Sequence, residues 1–159
     1  MSKELKEKDI VKHIVDNWDK YFPDLRFCKT EYSLKNFRVD ILADFEANLK
    51  DLGIREDDYI CRPAVFFEAK YQSNMRDLIY ELQKQIKFRD WYINIAKAFC
   101  MICVISDEFD PDMIDFMESN SILMYKYEME NNNLNTLVIK EYNKNIFELE
   151  YLGDKNYES

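Results

Sequence analysis

The chain is short of glycine. Gly53 and Gly153 are its only two among 159 residues, and a loop that cradles phosphate through backbone N–H groups needs several in one place. Walker-type and Rossmann-type nucleotide sites are thereby excluded. Histidine is scarcer still: His13 stands alone beside Ile14 on a helical stretch, and one imidazole without a companion reads as a partly exposed helix residue, not as a base or ligand. Long apolar runs are missing too. The longest, Ala98 to Ile105, is far too short to cross a bilayer, and the lysine-rich start lacks the apolar stretch of a signal peptide. A cytosolic protein with no membrane role is expected. Basic residues are in deficit, 22 against 31 acidic ones for a net charge of -9, which argues against broad attraction to a polyanion. Any such contact must be local or helped by metal ions.

What is present suits a folded chain. With 47% hydrophobic and 15% aromatic residues, 159 residues make one domain, 1–159, with a core of its own. Four cysteines, Cys28, Cys61, Cys100 and Cys103, are expected as reduced thiols, since no export signal supports a disulfide framework. Cys100 and Cys103 form a C-x-x-C, but it falls inside a strand-like run where residues three apart point to opposite faces, so neither zinc nor redox chemistry is expected of it.

Apolar residues at helical spacing predict an opening amphipathic helix from Lys3 to about Asn17, closed by Pro23. Two β-rich runs, Leu25 to Leu34 and Phe37 to Phe45, meet at Lys35-Asn36 and should pair antiparallel. Asn48 to Tyr59, with Gly53, is the expected loop; Pro63 leads into a third strand from Ala64, and Met75 to about Ile95 returns to helical periodicity. Ala98 to Ile105 is apolar on both faces, as a central strand would be. Asp110-Pro111 opens a short helix ending near Asn120. Ile122 to Tyr127 and Thr136 to Tyr142 flank an asparagine-rich turn, Asn131 to Asn135. The order predicts an α/β fold, one mixed sheet with helices on its faces. Trp91, Tyr92 and Phe99 are expected in the interior, and Lys84 with Lys87 on the solvated face of the long helix.

Two strands carry the chemistry. Asp40 interrupts the apolar run Phe37 to Ala43, where an unpaired charge costs several kcal/mol of desolvation, about 2–7 even for a neutral polar group. The next strand, Val65-Phe66-Phe67, ends in Glu68-Ala69-Lys70. Alternation puts Glu68 and Lys70 on one face with Ala69 turned away. If Asp40 faces Glu68 across the sheet, two carboxylates converge with a lysine beside them. That set suits a hard divalent cation, since Mg²⁺ takes one or two carboxylates, keeps several waters and accepts phosphate oxygens. Phosphodiester hydrolysis is the natural reaction. The plainer alternative is a surface Glu68–Lys70 ion pair, worth about 0–1 kcal/mol.

At Arg38-Val39-Asp40-Ile41-Leu42 and Phe67-Glu68-Ala69-Lys70 the chain resembles the PD-(D/E)XK nuclease superfamily, especially the N-terminal nuclease domains of type I restriction subunits. The resemblance runs over about Glu4 to Tyr127. It implies a restriction-endonuclease-like mixed β-sheet flanked by helices, and a Mg²⁺- or Mn²⁺-dependent nuclease acting on DNA more readily than on RNA. Asp40 and Glu68 would bind metal with the carbonyl of Ala69, and Lys70 would serve the attacking water. A glutamate of the first helix, Glu7 or failing that Glu4, would face the metal. A glutamine on the long helix would join the site; Gln83 and Gln85 compete by helical angle, and Gln85-Ile86 is more similar to the family's pair. Neither is followed four residues on by the family's usual tyrosine. A homodimer or larger protein partner is expected, with the late strand Thr136 to Tyr142 as the interface. The competing expectation, in line with the charge of -9, is a catalytically silent nuclease-fold module that binds or inhibits through protein partners.

Overall fold

The opening helix starts later than its apolar periodicity predicts. In a computed structural model that describes residues 4–34, 37–45, 64–71, 76–96 and 98–142, α1 spans Glu7–Asp16 and Lys6 is extended. The reason is local. The Asp9 carboxylate accepts from Lys6 N–H at 2.9 Å, which satisfies a donor at the helix start. Asn17 ends α1, its side-chain amide donating to the His13 carbonyl at 2.9 Å, and a single further turn, α2, runs Trp18–Tyr21. His13 is a half-buried helix residue bonded to the Tyr21 hydroxyl at 2.8 Å.

Six strands follow the expected order: β1 Leu25–Leu34, β2 Phe37–Phe45, β3 Ala64–Lys70, β4 Cys100–Ser106, β5 Leu123–Glu128 and β6 Val138–Glu141. They lie in the sheet in sequence order; β1 to β3 are antiparallel neighbours, β3 to β5 are parallel, and β6 is antiparallel to β5. The long helix α3 (Arg76–Asn94) connects β3 to β4, and α4 (Pro111–Ser119) connects β4 to β5. Asp110 caps α4 with Pro111 in its first turn, the arrangement a fixed φ favours. The last strand is shorter than expected because Leu134–Thr136 forms a 3₁₀ turn; Asn131 and Asn132 take positive φ of 51° and 56° before it, a conformation asparagine tolerates. The Lys35-Asn36 turn, the loop Asn48 to Tyr59 and Cys61 lie outside the described residues.

Helices cover both faces, as a restriction-endonuclease-like α/β sheet requires. On one face Ile10, Ile14, Trp18 and Phe22 pack on Ile41, Phe67, Cys103 and Tyr125. On the other, Leu78, Leu82, Met113 and Met117 pack on Phe66, Cys100, Ile102 and Val104. Each such side chain, fully buried, contributes about 1.5–3 kcal/mol. Cys100 and Cys103 therefore sit on opposite faces, and burial pushes the Cys100 thiol up to about 12. Tyr92 is buried, but Trp91 at 48% and Phe99 at 44% exposed are not the interior residues expected of them. Trp91 lies on the solvent pole of α3, opposite Leu82, and Phe99 precedes β4. Among the described residues no helix is long and apolar enough to cross a membrane.

One charge in the sheet has a purely structural use. Arg26 on β1 stands opposite Asp44 on β2 and grips it with Nε and Nη2 at 2.9 and 2.6 Å; Asp44 is buried while the guanidinium is part-exposed. Removing Arg26 leaves a buried carboxylate unpaired. Arg26→Ala should lower the unfolding free energy by about 1–3 kcal/mol, less than a fully buried pair would lose because solvent reaches the guanidinium. Adding Asp44→Asn should recover part of that loss in urea melts.

Candidate active site

The site is made where β2 and β3 stop pairing. Their ladder joins Ala43 to Val65, Leu42 to Phe66 and Ile41 to Phe67. One step further, Ala69 N–H donates to the Asp40 Oδ2 at 2.8 Å, so a side chain takes the place of the next backbone partner. Asp40 N–H in turn interacts with the Glu68 carboxylate. Each acid is thus held against the other's strand. On the far side of β2 the ladder with β1 is also disturbed: Glu31, between the pairs Thr30–Ile41 and Tyr32–Val39, has φ of 48°, a left-handed conformation that costs a non-glycine residue about 1–2 kcal/mol. Val39 packs on the α3 face, whereas Ile41 and Ala43 pack on the α1 face. The alternation of β2 therefore breaks at Asp40.

Glu68 is buried at the end of β3, and Gln85 of α3 reaches it, Nε2 donating to Oε1 at 3.0 Å. Gln85 is itself fully buried; Gln83 is exposed. Burial, then the Asp40 charge, pushes the Glu68 carboxyl up to about 8 against a pull from Lys70 and Gln85. Burial also raises Asp40, opposed by the Ala69 N–H and Lys70 and reinforced by Glu7. Two adjacent acids in low dielectric resist ionising together, which is the electrostatic condition that a cation relieves.

Lys70 shares their cleft, a cavity of about 590 Å³ lined also by Glu7, Arg38, Glu81 and Lys84. Its carbonyl accepts from the Tyr127 hydroxyl at 2.8 Å, anchoring the end of β3 to β5. Glu7 heads α1, and its Oε1 accepts from Tyr71 N–H at 3.3 Å. Glu4 lies ahead of the helix and is exposed. Asp40, Glu68, Lys70, Gln85, Glu7 and the Ala69 backbone are therefore brought together, while Glu4 and Gln83 are not. Lys84, expected on the solvated face of the long helix, also lines this cleft, as does Arg38. Arg38 is two residues from Asp40 and Lys84 adjoins Gln85, but nothing in the sequence showed that β2 and α3 line one cleft.

The donor set fits a hard divalent cation better than a soft one. Among the described residues no three His, Cys, Asp or Glu side chains gather into a protein cage for a metal. Two carboxylates leave several positions for water, which suits Mg²⁺ and not a closed zinc centre.

No protein-family model matches the chain, and no curated protein matches it significantly. Among solved structures, the chain is similar in fold to EndoMS, described in complex with double-stranded DNA, with 13% identity and a TM-score of 0.55 over 78% of this chain and 46% of that one. A second structure, Pyrococcus furiosus SfsA in complex with Ca²⁺, matches at 16% identity and a TM-score of 0.42, over 85% of this chain and 59% of that one. The chain spans about half the length of these proteins. The EndoMS likeness shows a shared fold.

The raised Glu68 carboxyl has a consequence for stability. Folding lifts it from 4.5 to about 8, so between those values the folded state holds a proton that the unfolded chain releases. Metal-free stability must then fall as pH rises through the window and level off above it, by up to about 1.4 kcal/mol per pH unit. Glu68→Gln keeps a polar partner for Gln85 without the charge. In urea melts with chelator from pH 5 to 8.5, the wild type should lose stability relative to Glu68→Gln; parallel curves would contradict the assignment.

Proposed function

We propose that the chain is a Mg²⁺- or Mn²⁺-dependent nuclease that hydrolyses phosphodiester bonds in DNA. The observation that carries this reading is the interlocked pair of acids, half-buried Asp40 with Oδ2 2.8 Å from Ala69 N and buried Glu68 with Oε1 3.0 Å from Gln85 Nε2, with Lys70 in the same cleft. Carboxylate lone pairs not used by these bonds would be left for a cation. Asp40 and Glu68 would hold the metal, with the Ala69 carbonyl as a further ligand, and Glu7, in the same cleft, would face the ion through its waters. When bound, the metal supplies an acidified water and screens phosphate from the two acids. The remaining work falls to the chain's own groups. Gln85 fixes the Glu68 carboxylate. Lys70 orients the attacking water and stabilises charge developing on the phosphate oxygens. Arg38 and Lys84, lining the same cleft, take the flanking phosphates.

The likeness in fold to EndoMS, solved with double-stranded DNA, supports DNA as the polymer. Since this chain spans less than half of that one, a second copy or a larger partner is proposed to complete the grip on a duplex. The β6 edge, with Val138 exposed, is the surface for it.

Cleavage assays on single-stranded, duplex and branched DNA, with RNA alongside, test the reading in Mg²⁺ and Mn²⁺. Asp40→Ala and Glu68→Ala should fall to background. Lys70→Ala should retain metal binding and slow cleavage by about 10²- to 10³-fold. Gln85→Ala should weaken metal affinity by about 10- to 100-fold. Activity surviving in Asp40→Ala and Glu68→Ala would point to another site. A wild type that cuts nothing yet melts higher with Mn²⁺ would instead favour the silent binding module.

A further inference from the structure

The solvent pole of α3 carries an unusual set of side chains. At 100° per residue, Tyr80, Lys84, Lys87 and Trp91 fall within an arc of about 60°, directly opposite Leu78, Leu82 and Gln85. Two large rings therefore bracket two amines along one ridge. Tyr80 is 64% exposed and Trp91 48%, although nothing about folding asks for aromatics at the water-facing pole of a helix. The ridge is also prearranged. Lys84 Nζ sits over the Tyr80 ring, 4.5 Å from its centroid, a cation–π contact that holds amine and ring as one unit. Of the flanking acids, Glu81 is paired with Lys84 at 3.6 Å and Asp90 with Arg89 at 3.4 Å, while the exposed Asp77, one turn before Tyr80, sets the acidic end of the ridge.

Its position matters as much as its composition. Lys84 belongs both to the ridge and to the wall of the cleft that holds Asp40, Glu68 and Lys70, so the ridge is continuous with the candidate site. From Tyr80 to Trp91 the helix advances about 16 Å at 1.5 Å per residue, room for several nucleotides. We propose that this ridge is a docking track for single-stranded DNA, with bases stacking on Tyr80 and Trp91 and phosphates meeting Lys84 and Lys87, and that it delivers one strand to the cleft. The inference rests on the nuclease reading for the identity of the polymer. Two ring faces with amines between them match an unpaired strand, whose bases expose their π-faces; a duplex hides them. With a net charge of -9 over the whole chain, binding of a polyanion must be confined to such a local strip. A protein partner would look for a continuous apolar surface, which the two lysines interrupt.

The full chain in chelator, where no cleavage interferes, provides the test. Trp18 is 6% exposed and Trp91 is the accessible tryptophan, so quenching of indole fluorescence by oligo(dT) reports on the ridge. Saturable quenching is expected, with affinity at least tenfold above that for a duplex of the same length. Tyr80→Ala and Trp91→Ala should each weaken oligo(dT) binding at least fivefold in anisotropy, and Lys84→Gln with Lys87→Gln should flatten its salt dependence. All four positions are on the surface, so melting temperatures should stay near wild type and keep the comparison valid. Equal affinity for duplex, or undiminished binding in both aromatic variants, overturns the track. Binding that persists in a protein that cuts no substrate would count against the nuclease reading alone; cleavage of single strands with undiminished binding in the aromatic variants would count against the track alone.

Discussion

Two carboxylates held side by side by each other's strands are the constraint on which the site depends. Ala69 N–H binds the Asp40 side chain at 2.8 Å, and Asp40 N–H faces the Glu68 side chain. This exchange replaces the ladder bonds that β2 and β3 would otherwise make, and it opens the sheet at one end. Burial raises both acids, helped by the Asp40 charge at Glu68 and by the Glu7 charge at Asp40. An arrangement that costs stability in this way is common where a site is built for a ligand rather than for the fold. Asp44, four residues along the same strand, shows the other solution: its charge is answered in place by Arg26.

The scaffold around the pair is what makes it rigid. β3 lies between β2 and β4 and is buried along most of its length. α3 packs across that face through Leu78 and Leu82, which carries Gln85 to Glu68. Tyr127 reaches from β5 to the carbonyl of Lys70, and α1 brings Glu7 to the main chain of Tyr71. Four separate elements therefore end at one cleft, each anchored by its own apolar contacts.

Much of this was legible in the residues themselves. The strands β1 to β5 and the helices α3 and α4 follow from periodicity and from Pro111. Asp40 stood out as a charge in an apolar strand, and Glu68 with Lys70 as acid and amine two residues apart. Other features needed three dimensions. The break of alternation at Asp40, beside the left-handed Glu31 of the neighbouring strand, is announced by no local pattern. Gln83 and Gln85 are equivalent by helical angle until the roll of α3 against the sheet is known, and it is Gln85 that turns inward. Trp91 looked like core because aromatics usually are, yet its place opposite Leu82 sends it to solvent. The pairing of Arg26 with Asp44 is long in sequence and depends on the register of the hairpin.

The central claim is that Asp40 and Glu68 together form a cation site that is protonated until a metal enters. Isothermal titration of Mn²⁺ near pH 7, repeated in buffers of different ionisation enthalpy, measures both the affinity and the protons displaced. The account predicts one bound ion per chain with release of about one proton, because a carboxyl that titrates near 8 must ionise to ligate, and it predicts loss of both signals in Glu68→Gln. Absence of binding in the wild type, or binding that Glu68→Gln leaves unchanged, would contradict it.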